Sequence, residues 1–136
     1  MSRVLALDIG TVRTGAAISD PTRTIAQGLG VWSAESWREE LDECLRKYEP
    51  EVVVVGLPVR TDGKTSEAAE RVRDVVSELS AKYPERAFVM WDERFTTVIA
   101  QRALLDADVS RKKRRKTVDK IAAVVILEDW LESQRA

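Results

Sequence analysis

An uninterrupted apolar run in the middle of the chain constrains the fold more than any other feature of the sequence. EVVVVGLP, at positions 51–58, places four consecutive valines before a glycine and a proline. A strand with one solvent face would alternate apolar and polar residues, whereas a continuous β-branched run is typical of a strand buried on both faces. Such a strand has parallel neighbours, so the run predicts a buried inner strand of an α/β fold.

Shorter patterns predict four further strands around this run. RVLALDIG at 3–10 predicts a strand in which Val4, Ala6 and Asp8 share one face, because strand side chains alternate. GAAISD at 15–20 and the segment 24–32 predict two more, joined by a turn at Asp20 and Pro21, so an antiparallel meander is expected to open the fold. Residues 87–91 predict a short fifth strand.

Helical spacing of apolar residues predicts four helices. They cover residues 37–48, 68–79, 98–105 and 118–133. Ser36, followed by Glu39, predicts a capping box at the start of the first helix, which is expected to stop before Pro50. Together the patterns predict a single α/β domain with a mixed sheet over residues 1–136.

Composition excludes several kinds of site. The chain has no histidine and one cysteine, Cys44, which rules out a Ser-His-Asp triad, a histidine zinc site and a disulfide framework. Carboxylate, Lys/Arg, hydroxyl and backbone chemistry remain. No run approaches the roughly 20 apolar residues of a membrane span, so we expect a cytoplasmic protein with a reduced thiol and no membrane partner.

Acidic residues stand at the predicted carboxyl ends of two strands. Asp8 ends the first, and Asp92 and Glu93 follow the last. Sites in open α/β sheets form at this edge, so these acids are expected to share one rim. Asp92 and Glu93 would point to opposite faces of a continuing strand, so at most one is expected to join Asp8 directly, and alternation alone does not say which.

A third acid, Asp119, precedes the last apolar helix segment. Residues on its helical face are apolar: Ala122, Ala123, Ile126 and Trp130. A carboxylate there is costly to bury unless its charge is compensated, although a place in the first turn after Thr117 is also favoured by the helix dipole alone. Taken with the other acids in a histidine-free chain, Asp119 favours a site of oxygen ligands for Mg²⁺ or Mn²⁺.

Positive charge is concentrated just before Asp119. Residues 92–116 carry eight Lys or Arg against four Asp or Glu, and RKKRRK at 111–116 is uninterrupted. We expect that run to be a mobile, solvated loop able to bind a phosphate backbone. The predicted nucleic-acid contacts are Arg13, Arg60, Lys64, Arg94, Arg111, Lys112, Lys113, Arg114, Arg115, Lys116 and Lys120.

Four segments together carry a family resemblance across nearly the whole chain. LALDIGTVRTGAAISD, VVVVGLPVRTDG, WDERFTT and VDKIAAVVIL, in this order, resemble the YqgF/RuvX family of RNase H-like proteins. The resemblance implies a five-stranded mixed sheet flanked by α-helices, with the first three strands antiparallel. It also implies a catalytic and metal-binding site of Asp8, Glu93 and Asp119, with Asp92 in reserve. The family is similar to Holliday-junction resolvases of the RuvC type and is linked to maturation of the 5′ end of 16S rRNA.

The sequence departs from the related resolvases at three places. Those enzymes often carry a further acid where this chain has Ala122, which puts a complete second metal site in doubt unless Asp92 or a substrate phosphate completes it. Arg60 stands where Asn is common, and Thr96 keeps only part of a Ser-Thr hydroxyl pattern.

The expected activity is metal-dependent phosphodiester hydrolysis in branched DNA or precursor rRNA. Asp8 would bridge two divalent ions, with Glu93 and Asp119 on either side. Two alternatives remain: a non-catalytic nucleic-acid-binding module, and an actin-like nucleotide-binding protein, since DIGTVRTG also resembles the phosphate loop of that class. The latter needs a second domain that 136 residues do not accommodate. A junction resolvase should be a two-fold homodimer, whereas an RNA-processing enzyme could act as a monomer.

Overall fold

The computed structural model describes residues 2–58, 66–93 and 111–135, and at 111–120 it describes the backbone only. The helix predicted at 98–105 lies outside these residues. Within them, three consecutive strands are followed by alternating helices and strands, in the order that the sequence patterns predict. No helix of this part of the chain combines the length and apolar character that crossing a bilayer requires.

Five strands form one mixed sheet. They are β1 (Val4–Ile9), β2 (Arg13–Ser19), β3 (Ala26–Ser33), β4 (Val52–Leu57) and β5 (Ala87–Asp92), in the spatial order β3-β2-β1-β4-β5. The pairs β1–β2 and β2–β3 are antiparallel, and β1–β4 and β4–β5 are parallel. The predicted meander and the predicted parallel neighbours of the valine run are therefore both confirmed.

Helices cover both faces of this sheet. α1 (Trp37–Tyr48) and α2 (Glu67–Lys82) pack on one face, and α3 (Arg111–Arg135) packs on the other. β4 shows why the valine run has no polar member: Val53 and Val55 belong to the core under α1 and α2, whereas Val54 belongs to the core under α3. All three valines are fully buried, so both faces of β4 have to be apolar.

Serine caps one of the first two helices but not the other. Ser66 has the extended backbone that capping requires (φ −113°, ψ 165°), and its Oγ accepts a hydrogen bond from the Ala69 N–H at 3.1 Å. Ser36 has a helical backbone (φ −111°, ψ −9°) and makes no side-chain cap. Its Oγ is instead within hydrogen-bond distance of Ser33 Oγ at 2.8 Å, so the predicted capping box is wrong.

The last helix begins earlier than predicted. α3 starts at Arg111 rather than near Val118, so the RKKRRK segment lies in a helix and the prediction of a loop is wrong. Arginine and lysine are good helix formers, and like-charge repulsion on a solvated helix costs only a few tenths of a kcal/mol per pair. The buried C-terminal part of α3 anchors the helix, which can then extend through the basic residues.

Candidate active site

Asp8 lies near the carboxyl end of β1, on the sheet face that α3 covers. Val4 and Ala6, which alternate with it, pack in the core under α3, and Leu5 and Leu7 pack on the opposite side. The Asp8 side chain is half-buried, and its Cα partner in β2 is Gly15. The face predicted for Asp8 from the alternation of RVLALDIG is therefore the face observed.

Glu93 follows β5 directly and lies on the same face. Its carboxylate Oε1 is 2.9 Å from the point that a Cβ on Gly56 would occupy, and Ile126 Cδ1 of α3 is 2.6 Å from that point. Glu93 therefore extends over β4, beneath α3. The side chain is only 5% exposed, an expensive position for a carboxylate unless its charge is compensated.

Asp92 lies on the other face of the sheet. Its Cα pairs with that of Leu57, whose side chain belongs to the core under α1 and α2. Residues that are Cα partners on two paired strands have their side chains on the same face of the sheet, so Asp92 points away from the side that carries Asp8. The register of β4 and β5 thus separates the two acids that strand alternation alone left equivalent.

Gly56 stands between the two acids on the α3 face of the sheet. Leu7 of β1 pairs with Val55 of β4, so the next residues of these parallel strands, Asp8 and Gly56, are also neighbours. Since β4 lies between β1 and β5, Gly56 stands between these two strands next to Asp8. Two strand spacings separate β1 from β5, about 9.5 Å. Because residue 56 has no side chain, the Glu93 carboxylate and Ile126 of α3 can approach the backbone of β4 closely. The carboxylates of Asp8 and Glu93 are the kind of oxygen ligand that a hard cation such as Mg²⁺ or Mn²⁺ prefers.

Asp119 lies in α3, one helical turn before Ala122, and its side chain is outside what the structure describes. The apolar face predicted after it is observed, since Ala122, Ala123, Ile126 and Trp130 are all buried against the sheet. Among the described side chains, no group of three acids or other metal-binding residues is found. Asp8 and Glu93 are therefore the described part of the candidate site.

Of the predicted basic contacts, Arg13 is the one whose side chain is described. It begins β2, two residues before the Asp8 partner Gly15, and so lies on the α3 face at the same end of the sheet. Arg60, Lys64 and Arg94 lie outside the described residues. The residues of the basic run and Lys120 lie in α3 with undescribed side chains.

Gly56 is the site residue that the sequence prediction missed. The sequence patterns give it no role in the site, whereas it is part of β4, between the two acids. The signal was an isolated glycine in a β-branched strand, which often marks the close approach of another group. Here the approaching groups are the Glu93 carboxylate and Ile126.

Comparisons with known proteins agree with this architecture. The RuvX family, described as a Holliday junction resolvase, matches residues 2–133. A protein of Halalkalibacterium halodurans named "Putative pre-16S rRNA nuclease" is 41% identical over 138 residues, which cover 98% of each chain. A protein of the same name from Clostridium novyi is also 41% identical and covers 96% of this chain and 98% of its own.

Solved structures of RuvC share the fold. Thermus thermophilus RuvC in complex with a Holliday junction substrate superposes with a TM-score of 0.58 at 14% identity, covering 100% of this chain and 98% of RuvC. A second T. thermophilus RuvC structure gives a TM-score of 0.54 at 11% identity, with 98% and 96% coverage. The RNase H-like sheet implied by the sequence resemblance is thus confirmed, and because the family match spans almost the whole chain, the protein belongs to the RuvX family.

Proposed function

We propose that this protein is a metal-dependent endonuclease that hydrolyses phosphodiester bonds in structured nucleic acid. The observation that carries the proposal is the pair of carboxylates, Asp8 and buried Glu93, on one face of the sheet on either side of Gly56. Membership of the RuvX family supports a nuclease activity, and a nucleic acid is the matching substrate.

Asp8, Glu93 and Asp119 would hold Mg²⁺ or Mn²⁺. Their carboxylate oxygens suit these hard cations, and such an ion, when bound, supplies an activated water and stabilises negative charge on the leaving oxygen. The burial of Glu93 beneath α3 keeps bulk water from competing for its carboxylate. Arg13, at the same end of the sheet, would hold a neighbouring phosphate in place. No side-chain nucleophile is needed.

Of the two candidate substrates, the 5′ end of precursor 16S rRNA is better supported than a four-way DNA junction. The relatives that are about 41% identical over nearly the whole chain are named for the rRNA activity, whereas the RuvC structures are 11–14% identical. A cytoplasmic location of the protein fits this assignment. Junction resolution would also require a two-fold homodimer, which sedimentation at several concentrations would reveal.

The test is cleavage of both substrates by variants of neighbouring acids. Asp8→Asn and Glu93→Gln should each lose at least about a hundredfold in rate with Mg²⁺ or Mn²⁺, the usual cost of removing one group that stabilises transition-state charge. Asp92→Asn is the matched control, since it makes the same kind of change on the opposite face and should leave the rate near that of the wild type.

The outcomes separate the alternatives. Full metal-dependent activity in Asp8→Asn, or an equal loss in Asp92→Asn, would overturn the assignment of the acids. Binding of either nucleic acid by the wild type without cleavage under any divalent cation would favour the non-catalytic module. Saturable ATP binding in calorimetry would favour the actin-like nucleotide-binding protein.

A further inference from the structure

A buried hydrogen-bond donor without a partner lies on the face of the sheet that carries the acids. The indole Nε1 of Trp91 is shielded from solvent and makes no hydrogen bond to the part of the chain that the structure describes. Buried tryptophan N–H groups usually have a partner, because a donor that loses its water without gaining an acceptor lowers the stability of the fold. An unpaired donor at this place is explained if its acceptor takes up position only when the site is loaded.

Three other side-chain atoms of the described residues are buried without a partner, and none of them lies on the α3 face. One is Thr14 Oγ1, and Thr14 alternates with Ala16, which belongs to the core under α1 and α2. The other two are the Nε atoms of Arg71, in α2, and of Arg86, whose remaining nitrogens donate to main-chain oxygens at the end of α1. Among the described residues, Trp91 is therefore the unpaired donor at the candidate site.

Strand register brings Trp91 and Glu93 to the same part of this face. Trp91 is the Cα partner of Gly56, and its side chain packs against the core under α3. The space above Gly56 holds Ile126 and the Glu93 carboxylate, whose Oε1 is 2.9 Å from the point that a Cβ would occupy. Neighbouring strands lie about 4.8 Å apart, a distance that an indole ring spans from its own Cα. Trp91 and the Glu93 carboxylate are thus neighbours across the space above Gly56.

The position of β5 indicates the side of the ring on which Nε1 lies. β5 is an outer strand of the described sheet, which continues from Trp91 toward β4. The Trp91 side chain is half-buried, yet its Nε1 is fully shielded, so this atom belongs to the sheltered side of the ring, toward β4. The described side chains above Gly56 on that side are Ile126 and Glu93, and of these two the carboxylate accepts hydrogen bonds.

We propose that Trp91 is a positioning residue: its indole N–H donates a hydrogen bond to the Glu93 carboxylate when that carboxylate binds a divalent cation. The inference rests on the proposed nuclease function. A carboxylate that binds a cation needs a fixed orientation, and hydrogen-bond donors around metal ligands supply it. Indole is a neutral donor, so it orients the ligand without adding positive charge that would repel the cation.

Trp91→Phe removes the N–H and keeps an aromatic ring. It should weaken the binding of Mn²⁺ about 10- to 100-fold, the usual effect of losing a donor to a metal ligand. It takes no hydrogen bond from the metal-free protein, since Nε1 has no partner there within the described residues. Trp130→Phe is the matched control, because Trp130 packs in the same core, one turn of α3 beyond Ile126 and toward the helix end that contacts the β2–β3 turn. This control should leave the Mn²⁺ affinity near that of the wild type.

Calorimetry with Mn²⁺ alone measures these affinities without nucleic acid or cleavage, and urea unfolding shows whether each variant is folded. NMR observes the donor directly, since the chain has four tryptophans and therefore four indole N–H resonances. Titration of the wild type with diamagnetic Mg²⁺ should move the Trp91 indole proton downfield, as a new hydrogen bond does, and should move the Trp130 proton less. The titration uses the wild type, so it tests the contact even if Trp91→Phe does not fold.

A loss of Mn²⁺ affinity in Trp91→Phe but not in Trp130→Phe, together with the downfield shift in the wild type, supports the positioning role. Wild-type affinity in Trp91→Phe overturns it, and so does an equal loss in Trp130→Phe, because the cause would then be core packing. An unmoved Trp91 resonance at saturating Mg²⁺ also overturns it. Each of these results leaves the nuclease proposal intact, since the wild type still binds the cation. If the wild type binds neither Mn²⁺ nor Mg²⁺, with or without nucleic acid, the proposed metal-dependent function fails as well.

Discussion

Replacement of Gly56 by alanine should show how closely Glu93 and α3 approach β4. A Cβ at this position would lie 2.6 Å from Ile126 Cδ1 and 2.9 Å from Glu93 Oε1, whereas real Cβ atoms essentially never come within 3.0 Å of a neighbouring heavy atom. Ile126 is fully buried and Glu93 is 5% exposed, so neither side chain can turn freely into solvent. We expect Gly56→Ala to destabilise the fold by about 1–3 kcal/mol, the usual cost of overpacking.

A second substitution separates the two contacts. Ile126→Val removes Cδ1, at a cost of about 0.5–1.5 kcal/mol on its own. In the double variant with Gly56→Ala, the alanine no longer meets Cδ1, so the two changes should cost less together than the sum of their separate effects, by about 1 kcal/mol. The contact with Glu93 remains, so the double variant should still bind Mn²⁺ more weakly than Ile126→Val does.

Gly30→Ala is the matched control for these measurements. Its Cβ would meet Trp32 Nε1 at 3.6 Å, an ordinary van der Waals contact, so it should be neutral or stabilise the fold by up to about 1 kcal/mol through the unfolded state. Urea unfolding gives the free energies, and calorimetry gives the Mn²⁺ affinities. Equal stability of Gly56→Ala and Gly30→Ala would refute the close approach, and strictly additive effects of Gly56→Ala and Ile126→Val would refute the contact with Ile126.

Two further predictions concern the end of the sheet opposite the candidate site. The pKa of the Asp20 carboxyl is lowered from 3.8 to about 2, chiefly by a hydrogen bond from the Ile25 N–H, so its contribution to stability is present above about pH 4 and is lost as the pH falls to about 2. Asp20→Asn should therefore reduce the fall in the free energy of unfolding over this pH interval. If urea unfolding at several pH values gives the same pH dependence for the variant as for the wild type, the assignment is contradicted. Arg86 donates hydrogen bonds to the carbonyl oxygens of Pro50 at 2.6 Å and Leu45 at 3.0 Å. Arg86→Met should lower the free energy of unfolding by about 2 kcal/mol, and Arg86→Lys should lower it by less. Equal midpoints of urea unfolding for the wild type and both variants would show that these hydrogen bonds do not stabilise the end of α1.

Several features of the fold could be predicted because they depend on local backbone geometry. The four valines before Gly56 predicted a strand with two buried faces, and alternation placed Asp8 with Val4 and Ala6. The apolar spacing after Asp119 predicted the buried face of α3, from Ala122 to Trp130. Each prediction used one period, two residues in a strand or 3.6 in a helix, which does not require knowledge of the neighbouring elements.

Two local predictions were wrong because a competing effect was stronger. Ser36 matched the capping-box pattern, but its backbone is helical and its hydroxyl is within hydrogen-bond distance of Ser33. The basic run from Arg111 to Lys116 was predicted as a loop from charge repulsion, but it belongs to α3. Lysine and arginine have high helix propensity, and repulsion between solvated charges is weak in comparison with the stability of a helix whose other end is anchored by packing.

The sequence by itself determined the five strands, the apolar faces of the described helices, and that any catalytic site must work without histidine. Only the tertiary structure decided that Glu93, and not Asp92, shares a face with Asp8, and that Glu93 and α3 approach β4 closely at Gly56. The physical reason is that these facts depend on the register of β4 against its neighbours and on the depth at which α3 docks. Both are set by the packing of the whole core, to which residues far apart in the chain contribute.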